Sequence, residues 1–372
     1  MLSFKRTNFV NNIDWLLLLS VLFLVFFGLA AIYSVALGRG QGEFGNFQKQ
    51  VLWLVYCLPV ILIISYIDYR LWRRIGWIGY GLSVVLLILV LTPLGSLVKG
   101  ARGWFDFGFI SFQPVELTKI FLIMVLADIC SRYTRTLYKL RHLFFMAGVV
   151  ALPLVLVMLQ PDFGSAMVLF FIWLVAFVLV VKKKWHLVLM LGLIVVLALI
   201  AWFGVFQNYQ KDRIYSFLNP ALDPQGRGYN VRQSVIAVGA GKLFGRGLGF
   251  GSQSQLKFIP ESQTDFIFSV IAEEIGYVGV VLVLALFALF FYRFYRIASN
   301  APDDFGLFIA LLTAAMVFFH VFINIGMCIG LLPVTGISLP FISYGGSFLL
   351  AMTVLVGVNL SIYRYGVAIR GR

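Results

Sequence analysis

Charged residues are scarce in this chain: Asp, Glu, Lys and Arg together make up 12% of its 372 residues. In soluble domains about a quarter of the residues are charged, so this composition excludes an ordinary soluble protein. Acidic residues are the scarcer kind, 15 against 29 basic ones, and the net charge is +14. In so apolar a chain, basic residues are better explained as anchors of membrane-flanking loops than as a nucleic-acid surface. No nucleic-acid partner is therefore predicted.

Metal ligands and disulfide partners are also few. The three cysteines, Cys57, Cys130 and Cys328, lie in or beside apolar stretches and predict neither a disulfide framework nor a zinc motif. The three histidines are far apart in the sequence. His320 lies in an apolar segment, where a hydrogen-bonded packing role is favoured over metal ligation. No metal site is predicted from these residues.

Apolar residues are abundant, 61% of the chain, with a mean hydropathy of +0.97. A membrane-spanning helix needs about 20 mostly apolar residues. Ten segments qualify: 15–36, 49–67, 76–94, 114–130, 143–160, 164–181, 186–206, 266–292, 306–328 and 348–364. The predicted fold class is an all-α integral membrane protein with about ten transmembrane helices, one polytopic domain over residues 1–372.

The loops predict the orientation. Lys and Arg recur in every second loop, for example at Arg70, Arg73 and Arg74 and again at Arg293 and Arg296. The positive-inside rule therefore predicts that both termini are cytoplasmic. The large extracellular loop then spans 207–265, between the seventh and eighth helices.

This outer loop is rich in glycine but also in apolar residues, so disorder is not expected. Val231, Val235 and Val238 share one helical face and predict a short helix at the membrane interface. The segment "GAGKLFGRGLGFG" (239–251) resembles a phosphate loop only superficially, because Leu243 follows Lys242 where Ser or Thr is required. A flexible or tightly turning segment is the better interpretation.

The stretch "FIPESQTDFIFSVIAEEIG" (258–276) carries three carboxylates where the eighth span begins. We expect Thr264 near the helix N-cap and Asp265 in the first turn. Glu273 would then lie about 12 Å further along the helix, and Glu274 on the opposite face. The carboxylates are thus not a close dyad, and Asp265 stands alone at the outer mouth. A helix-capping role and a catalytic role for Asp265 remain equally open at this point.

Other polar residues fall inside or at the ends of spans. Glu116 and Lys119 are three residues apart, so on a helix they share a face and can pair; a site role and a buried structural pair are both open. Asp162, in "QPDFGSA", suits either an N-cap or a substrate contact. Basic residues of the outer loops could hold an anionic ligand, and Arg213 is the best placed of them.

Five motifs resemble one family: "QPVELTK", "QPDFGSA", "NPALDPQGRGYNVRQS", "GSQSQLKFIPESQTDFIFSVIAEEIG" and "NIGMCIGLLPVTGISLPFISYGGS". The chain is similar over essentially its whole length to the SEDS proteins of shape, elongation, division and sporulation. Within that family, "GSQSQL" and "NIGM…PVTGI" resemble the elongation branch more than the division branch.

The resemblance implies a peptidoglycan glycosyltransferase that polymerises lipid II into β-1,4 glycan strands at the outer face of the bacterial cytoplasmic membrane. It implies Asp265 as the catalytic base toward the acceptor hydroxyl. The substrate-binding residues implied or suggested are Arg213, Lys119, Glu116, Gln113, Gln160, Asp162, Arg246, Glu261, Thr264, Ser343, Tyr344 and Ser347.

The implied partners are a class B penicillin-binding protein that supplies the transpeptidase, lipid II, undecaprenyl-pyrophosphate-linked glycan and membrane lipids. No cofactor is required by the sequence, which leaves open whether a divalent cation, Mg²⁺ or Mn²⁺, assists. Two alternatives are a lipid II flippase and a division-specific polymerase. A transporter would be expected to carry its key polar residues near the bilayer midplane and on repeated halves, and no internal repeat is found.

Overall fold

The structure is a computed structural model and describes residues 13–39, 44–98, 100–108, 111–133, 140–181, 184–205, 208–218 and 226–370. Helices dominate these residues. They are α1 Trp15–Arg39, α2 Phe44–Tyr66, α3 Trp72–Leu91, α4 Pro114–Tyr133, α5 Leu140–Leu159, α6 Phe163–Val180, α7 Lys184–Ile200, α8 Asn208–Leu218, α9 Arg227–Ala240, α10 Ser252–Gln255, α11 Ile267–Ser299, α12 Asp304–Cys328 and α13 Gly346–Arg370.

All ten predicted spans coincide with helices, namely α1 to α7 and α11 to α13. Among the described residues, eight helices are long and apolar enough to cross a membrane. Two predicted spans are not among the eight. The α4 helix carries Glu116, Lys119 and Asp128, and α7 qualifies only as a shorter apolar helix. The chain is a multi-pass membrane protein, and the number of ten spans remains a prediction.

The α4 helix lies at the centre of the bundle. It packs against α3, α6 and α12, and α12 also packs against α11. Most α4 side chains are buried, including those of Glu116, Lys119 and Asp128. These three charges therefore face other helices rather than lipid, which is the arrangement that makes intramembrane charges tolerable.

The predicted loop at 95–113 contains a small antiparallel sheet that the all-α prediction did not include. Its strands are β1 Ser96–Val98, β2 Ala101–Asp106 and β3 Ser111–Phe112, in the order β1-β2-β3. Ser96 pairs with Trp104, and Phe105 pairs with Phe112. The sheet contacts α3 and α4 and so closes over one end of the bundle.

The predicted outer loop 207–265 is built from α8, α9 and α10; residues 207 and 219–225 lie outside the described residues. The short helix expected around 231–238 is confirmed as part of α9. Its buried side is formed by Ser234 and Ala237. The Ser234 hydroxyl oxygen lies 2.6 Å from the Ser269 hydroxyl oxygen and donates to the Cys328 carbonyl at 2.7 Å, which fixes α9 against α11 and α12.

The α11 helix is broken at Gly276, whose φ is 76°. The segment 241–256, here called the strap, crosses the break and supplies hydrogen bonds that a helix would otherwise make. The pairs are Tyr277 N to Lys242 O at 2.9 Å, Val278 N to Leu243 O at 3.1 Å, Arg246 N to Glu273 O at 3.0 Å and Gly247 N to Glu274 O at 2.9 Å. The glycine-rich segment is therefore the tightly turning structure expected from the sequence.

One end of the bundle is closed by an ion pair. Asp14 accepts from the Leu17 amide at the start of α1, and its Oδ2 lies 2.8 Å from Nη2 of Arg293, near the end of α11. By the positive-inside prediction this is the cytoplasmic end. The terminal residues 1–12 and 371–372, which that prediction also assigns to the cytoplasm, lie outside the described residues.

Candidate active site

Asp265 lies in a turn that precedes α11, not in its first helical turn. The amides of Thr264 and Phe266 both donate to the Glu261 carbonyl, at 3.2 and 3.1 Å. Because residues 261–266 form this turn, α11 begins only at Ile267, with Phe266 as its N-cap residue. The expected position of Asp265 in the first helical turn is therefore wrong, whereas Thr264 lies near the N-cap as expected. The helical geometry from which the spacing to Glu273 was derived does not extend to Asp265.

A buried amide fixes this turn. Asn324 of α12 donates one amide hydrogen to the Asp265 carbonyl and the other to the Ile337 carbonyl, both at 2.8 Å. Asn324 has no exposed surface, so replacing it would leave two carbonyls without these donors. It lies inside a quoted family motif, but its role was not predicted. A lone amide within an apolar span was the available signal.

The loop 329–345 runs past the Asp265 carboxylate. At Gly336 the backbone has φ 78°, and a Cβ placed there would lie 3.7 Å from Oδ2 of Asp265. The residue before it, Thr335, accepts a hydrogen bond at 3.1 Å from Nη1 of Arg213 in α8. A carboxylate and a guanidinium thus approach consecutive residues of one loop, on a partly buried surface.

The far end of the loop is attached to the Asp265 turn. The Ser343 hydroxyl donates to the Thr264 carbonyl at 2.6 Å, and the Tyr344 amide donates to the Gln263 carbonyl at 2.9 Å. Burial raises the pKa of the Tyr344 hydroxyl above its ordinary value. Ser347 lies buried in the first turn of α13.

The Thr264 side chain is turned toward Glu261. Its hydroxyl donates to Oε2 of Glu261 at 3.0 Å, within the same turn that carries Asp265. Both side chains are partly buried. These two predicted site residues therefore lie beside the catalytic candidate.

Asp162 and Gln113 form another edge of the same region. Asp162 is the N-cap of α6 and accepts from the Ser165 amide at 3.0 Å, and Gln113 donates to its Oδ2 at 3.1 Å. The capping role of Asp162 is confirmed. A Cβ at Gly164, in the first turn of α6, would lie 2.7 Å from the Thr335 carbonyl, so this edge adjoins the loop that Arg213 contacts.

The Gln160 side chain is buried and points away from the Asp265 turn. Its Nε2 donates to the Leu87 carbonyl of α3 at 3.2 Å. Arg246 also lies apart, exposed on the strap, with Nη1 donating to the Ser252 hydroxyl at 2.6 Å. These contacts give both residues structural partners away from the Asp265 turn. Their substrate-binding role remains a prediction without a supporting contact.

Glu116 and Lys119 form the pair expected from their spacing, with Nζ of Lys119 2.8 Å from Oε1 of Glu116 and both side chains buried. Nζ also lies 5.5 Å from the ring centroid of Phe348, at the start of α13. The His320 ring stacks on the same Phe348 ring, with the two ring centroids 5.0 Å apart. Its Nδ1 is 3.1 Å from the Ser338 carbonyl, so it has the packing role expected and reaches the 329–345 loop.

Glu273 and Glu274 hold the strap. Glu273 accepts from the amides of Gln253 and Ser254 at 2.9 and 3.0 Å, and Glu274 accepts from the Gln255 side chain at 3.1 Å. Both carboxylates thus have a structural role, since they fix residues 253–255 against α11.

A metal site is not apparent from the arrangement of side chains. In the part of the chain that the structure describes, no three His, Cys, Asp or Glu side chains are grouped as metal ligands. The involvement of a divalent cation remains an open prediction.

The motifs can now be compared with known proteins. Residues 14–366 match the model of the family described as cell cycle protein, which covers FtsW, RodA and SpoVE. The chain belongs to this family. Two relatives are the stage V sporulation protein E of Bacillus subtilis, 38% identical over 95% of this chain and 97% of that protein, and the peptidoglycan glycosyltransferase MrdB of Escherichia coli K12, 34% identical over 95% and 94%.

Solved structures agree with the family assignment. A chain from a peptidoglycan synthase complex that coordinates polymerization and crosslinking superimposes with a TM-score of 0.80 at 30% identity, over 95% of this chain and 98% of that one. The rod shape determining protein RodA of Thermus thermophilus gives 0.69 at 28% identity, over 96% and 97%. The fold and the multi-pass membrane location, in the bacterial inner membrane, follow from this membership.

Proposed function

We propose that this SEDS protein is a peptidoglycan glycosyltransferase that polymerises lipid II into β-1,4 glycan strands at the outer face of the cytoplasmic membrane. The observation that carries the proposal is the approach of Asp265 and Arg213 to the consecutive residues Thr335 and Gly336. A base and a fixed cation on the same loop suit glycosyl transfer from a pyrophosphate donor. The naming of several relatives as peptidoglycan glycosyltransferases supports the same reaction class.

In the proposed reaction, the Asp265 carboxylate accepts the proton of the acceptor sugar's 4-hydroxyl. The hydroxyl oxygen then forms a bond to C1 of the donor sugar, which is the end of the growing strand. The bond from C1 to the undecaprenyl pyrophosphate oxygen breaks, and its electron pair leaves with the pyrophosphate. Pyrophosphate is a good leaving group, so one carboxylate suffices where a glycosidase needs two.

Arg213 is proposed to stabilise the charge that develops on the departing pyrophosphate. A guanidinium matches phosphate oxygens in a bidentate geometry. Its hydrogen bond to the Thr335 carbonyl fixes one nitrogen, Nη1, near the loop. Such a preorganised cation acts in the transition state without having to reorient.

The further substrate contacts are proposed at two edges of this region. Glu261, Thr264, Ser343, Tyr344 and Ser347 surround the Asp265 turn, whereas Gln113 and Asp162 lie where α6 meets the Thr335 carbonyl. Lys119 and Glu116 are proposed deeper in the bundle, linked to the loop through Phe348 and His320.

We propose a role in cell elongation, supported by the motifs "GSQSQL" and "NIGM…PVTGI", with a class B penicillin-binding protein as partner. The similarity to a chain from a complex of polymerization and crosslinking supports the partner. Expression in cells depleted of either their elongation or their division polymerase tests the assignment. Restored rod shape is expected; rescue of division alone would assign the protein to the division branch.

The polymerase proposal is tested by reconstitution with the cognate class B penicillin-binding protein and lipid II, with glycan length measured on gels. Asp265→Asn is expected to lower the polymerisation rate by about 10²- to 10⁴-fold, the usual contribution of a general base. Asp212→Asn, which changes an exposed carboxylate beside Arg213, serves as the matched control and should retain the wild-type rate. A wild-type rate for Asp265→Asn would overturn the assignment of the base.

Transport is the second candidate, favoured by the buried Glu116–Lys119 pair inside the bundle. Liposomes that contain lipid II in one leaflet allow lipid movement and polymer formation to be scored together. Lipid II movement without polymer, in the presence of the partner, would favour a flippase. Polymer formation that stops with Asp265→Asn would favour the glycosyltransferase.

A further inference from the structure

The strap carries several large apolar side chains that contact solvent in the isolated chain. The exposed fraction is 81% for Phe244 and 77% for Phe250. Leu243, Leu248 and Leu256 are exposed as well. Scattered surface apolar residues are normal, but such a concentration within one short segment marks an interaction surface.

The backbone of the strap is fixed against α11 at several points. Its backbone hydrogen bonds to Glu273–Val278, together with the hydrogen bonds that the Glu273 and Glu274 carboxylates accept from residues 253–255, hold it against α11. A Cβ at Gly276 would lie 2.2 Å from the Gly245 amide nitrogen, so strap and helix are in direct backbone contact. The apolar side chains are therefore presented outward from a fixed frame.

The distance of the strap from the end of the bundle marked by the Asp14–Arg293 pair can be estimated along two helices. On α1, the Gly249 amide donates to the Ser34 hydroxyl at 2.8 Å, and Ser34 is 20 residues from Asp14, or about 30 Å of helix. On α11, Gly276 is 17 residues from Arg293, or about 25 Å. Since Asp14 and Arg293 are paired at one end of the bundle, both counts place the strap about one hydrocarbon thickness away.

The surface of the strap continues the lipid-facing surface of the spans. Tyr277 and Val278, directly after the break, are exposed, as is Leu37 at the end of α1. A Cβ at Gly249 would lie 3.8 Å from Cδ1 of Leu37, so the two apolar surfaces adjoin. Among the residues that the structure describes, the strap therefore adjoins the exposed apolar ends of α1 and of the segment after the α11 break.

The charges of the strap also fit a membrane boundary. Lys242 and Arg246 are exposed among its apolar residues, and Lys257 is exposed directly after it. An interfacial segment places Phe and Leu below the headgroups and Lys or Arg beside the phosphates. A protein-facing hot spot would be expected to be depleted of lysine.

We propose that the strap is a membrane-inserted element, with Phe244 and Phe250 embedded among the acyl chains of the leaflet opposite the Asp14–Arg293 pair. The occupant of this surface is lipid, and the basic side chains contact anionic headgroups. The strap then anchors the broken end of α11, which continues into the Asp265 turn, at the level of the lipid substrate's headgroup.

Site-directed spin labelling tests the proposal with the full chain in liposomes of phosphatidylethanolamine and phosphatidylglycerol. Nitroxides are attached at Phe244→Cys and Phe250→Cys, and their collision rates with oxygen and with a water-soluble nickel chelate are measured. Leu284→Cys, on the exposed face of α11, is the lipid reference, and Ser111→Cys, exposed on β3, is the aqueous reference. The native cysteines are buried, and labelling of the unsubstituted protein gives the background.

We expect both strap labels to favour oxygen over nickel, as the Leu284 label does and the Ser111 label does not. Nickel accessibility equal to that of the Ser111 label would overturn the proposal. So would shielding that arises only after the class B penicillin-binding protein is added, because the surface would then be a protein interface. A monodisperse peak for each variant in size-exclusion chromatography shows that folding is retained.

Discussion

Arg213 and Asp265 are 52 residues apart in the sequence, yet their side chains approach two consecutive residues of the 329–345 loop. Nη1 of Arg213 is 3.1 Å from the Thr335 carbonyl, and Gly336 provides the space beside Oδ2 of Asp265. A side chain at position 336 would narrow the gap next to the carboxylate. The loop thus sets the relation between the proposed base and the proposed phosphate-binding cation.

Arg213→Lys is expected to lower polymerisation by roughly 10²-fold, because an ammonium loses the bidentate geometry and one preorganised donor. Polymer formation from lipid II by the complex, at matched amounts of folded protein, is the measurement. Arg232→Lys, at an exposed position of α9, is the matched control and should leave the rate unchanged. An Arg213→Lys enzyme as active as the Arg232→Lys enzyme would mean that the guanidinium only supports the loop.

Asn324→Leu is expected to lower both stability and polymerisation. The buried Ile337 carbonyl would lose its Asn324 donor at a cost of about 1–3 kcal/mol, and the Asp265 carbonyl would keep only the weak donor Cys328 Sγ at 3.6 Å. Asn359→Leu is the control, since Asn359 is equally buried but donates to Leu355 and Thr313 within the α12–α13 contact. Thermal unfolding in detergent should show losses for both variants.

The polymerisation rate per amount of folded protein should distinguish the Asn324→Leu variant from the Asn359→Leu variant. We expect it to fall for Asn324→Leu, because the Asp265 turn is released, and to persist for Asn359→Leu. Equal specific activities for the two variants would show that Asn324 contributes stability alone.

The spans could be predicted from the sequence because length and apolarity are local properties. The start of α11 could not. Thr264 and Asp265 are good N-terminal residues for a helix, but the turn closed on the Glu261 carbonyl and held by Asn324 outweighs that preference. The partner of Arg213 is a backbone carbonyl 122 residues away, which no local pattern reveals.

The break in α11 and the small sheet were missed for other reasons. A single glycine inside an apolar helix is usually tolerated, so Gly276 alone gave no signal. The break exists because the strap accepts and donates the freed backbone hydrogen bonds, a tertiary effect. The strands β1 to β3 span two to six residues, too short for a reliable alternation pattern.

Gly276→Ala is expected to prevent or severely destabilise folding. The new Cβ would lie 2.2 Å from the Gly245 amide nitrogen, and alanine is strained at φ 76°. Gly81→Ala, in α3 where no atom lies within 4 Å of the new Cβ, is the control and should unfold at or above the wild-type temperature. A Gly276→Ala protein with the wild-type midpoint would contradict the backbone contact between strap and helix.

The Glu116–Lys119 pair allows the structural and substrate-binding roles to be separated. Glu116→Gln or Lys119→Met alone is expected to destabilise the protein by about 3–5 kcal/mol, because each leaves a buried charge without its partner. The double variant Glu116→Gln/Lys119→Met removes both charges, and we expect it to recover most of the stability. If the pair contacts substrate as proposed, the double variant folds but polymerises lipid II at least tenfold more slowly. Recovery of polymerisation together with stability, in the same preparations, would assign the pair to helix packing alone.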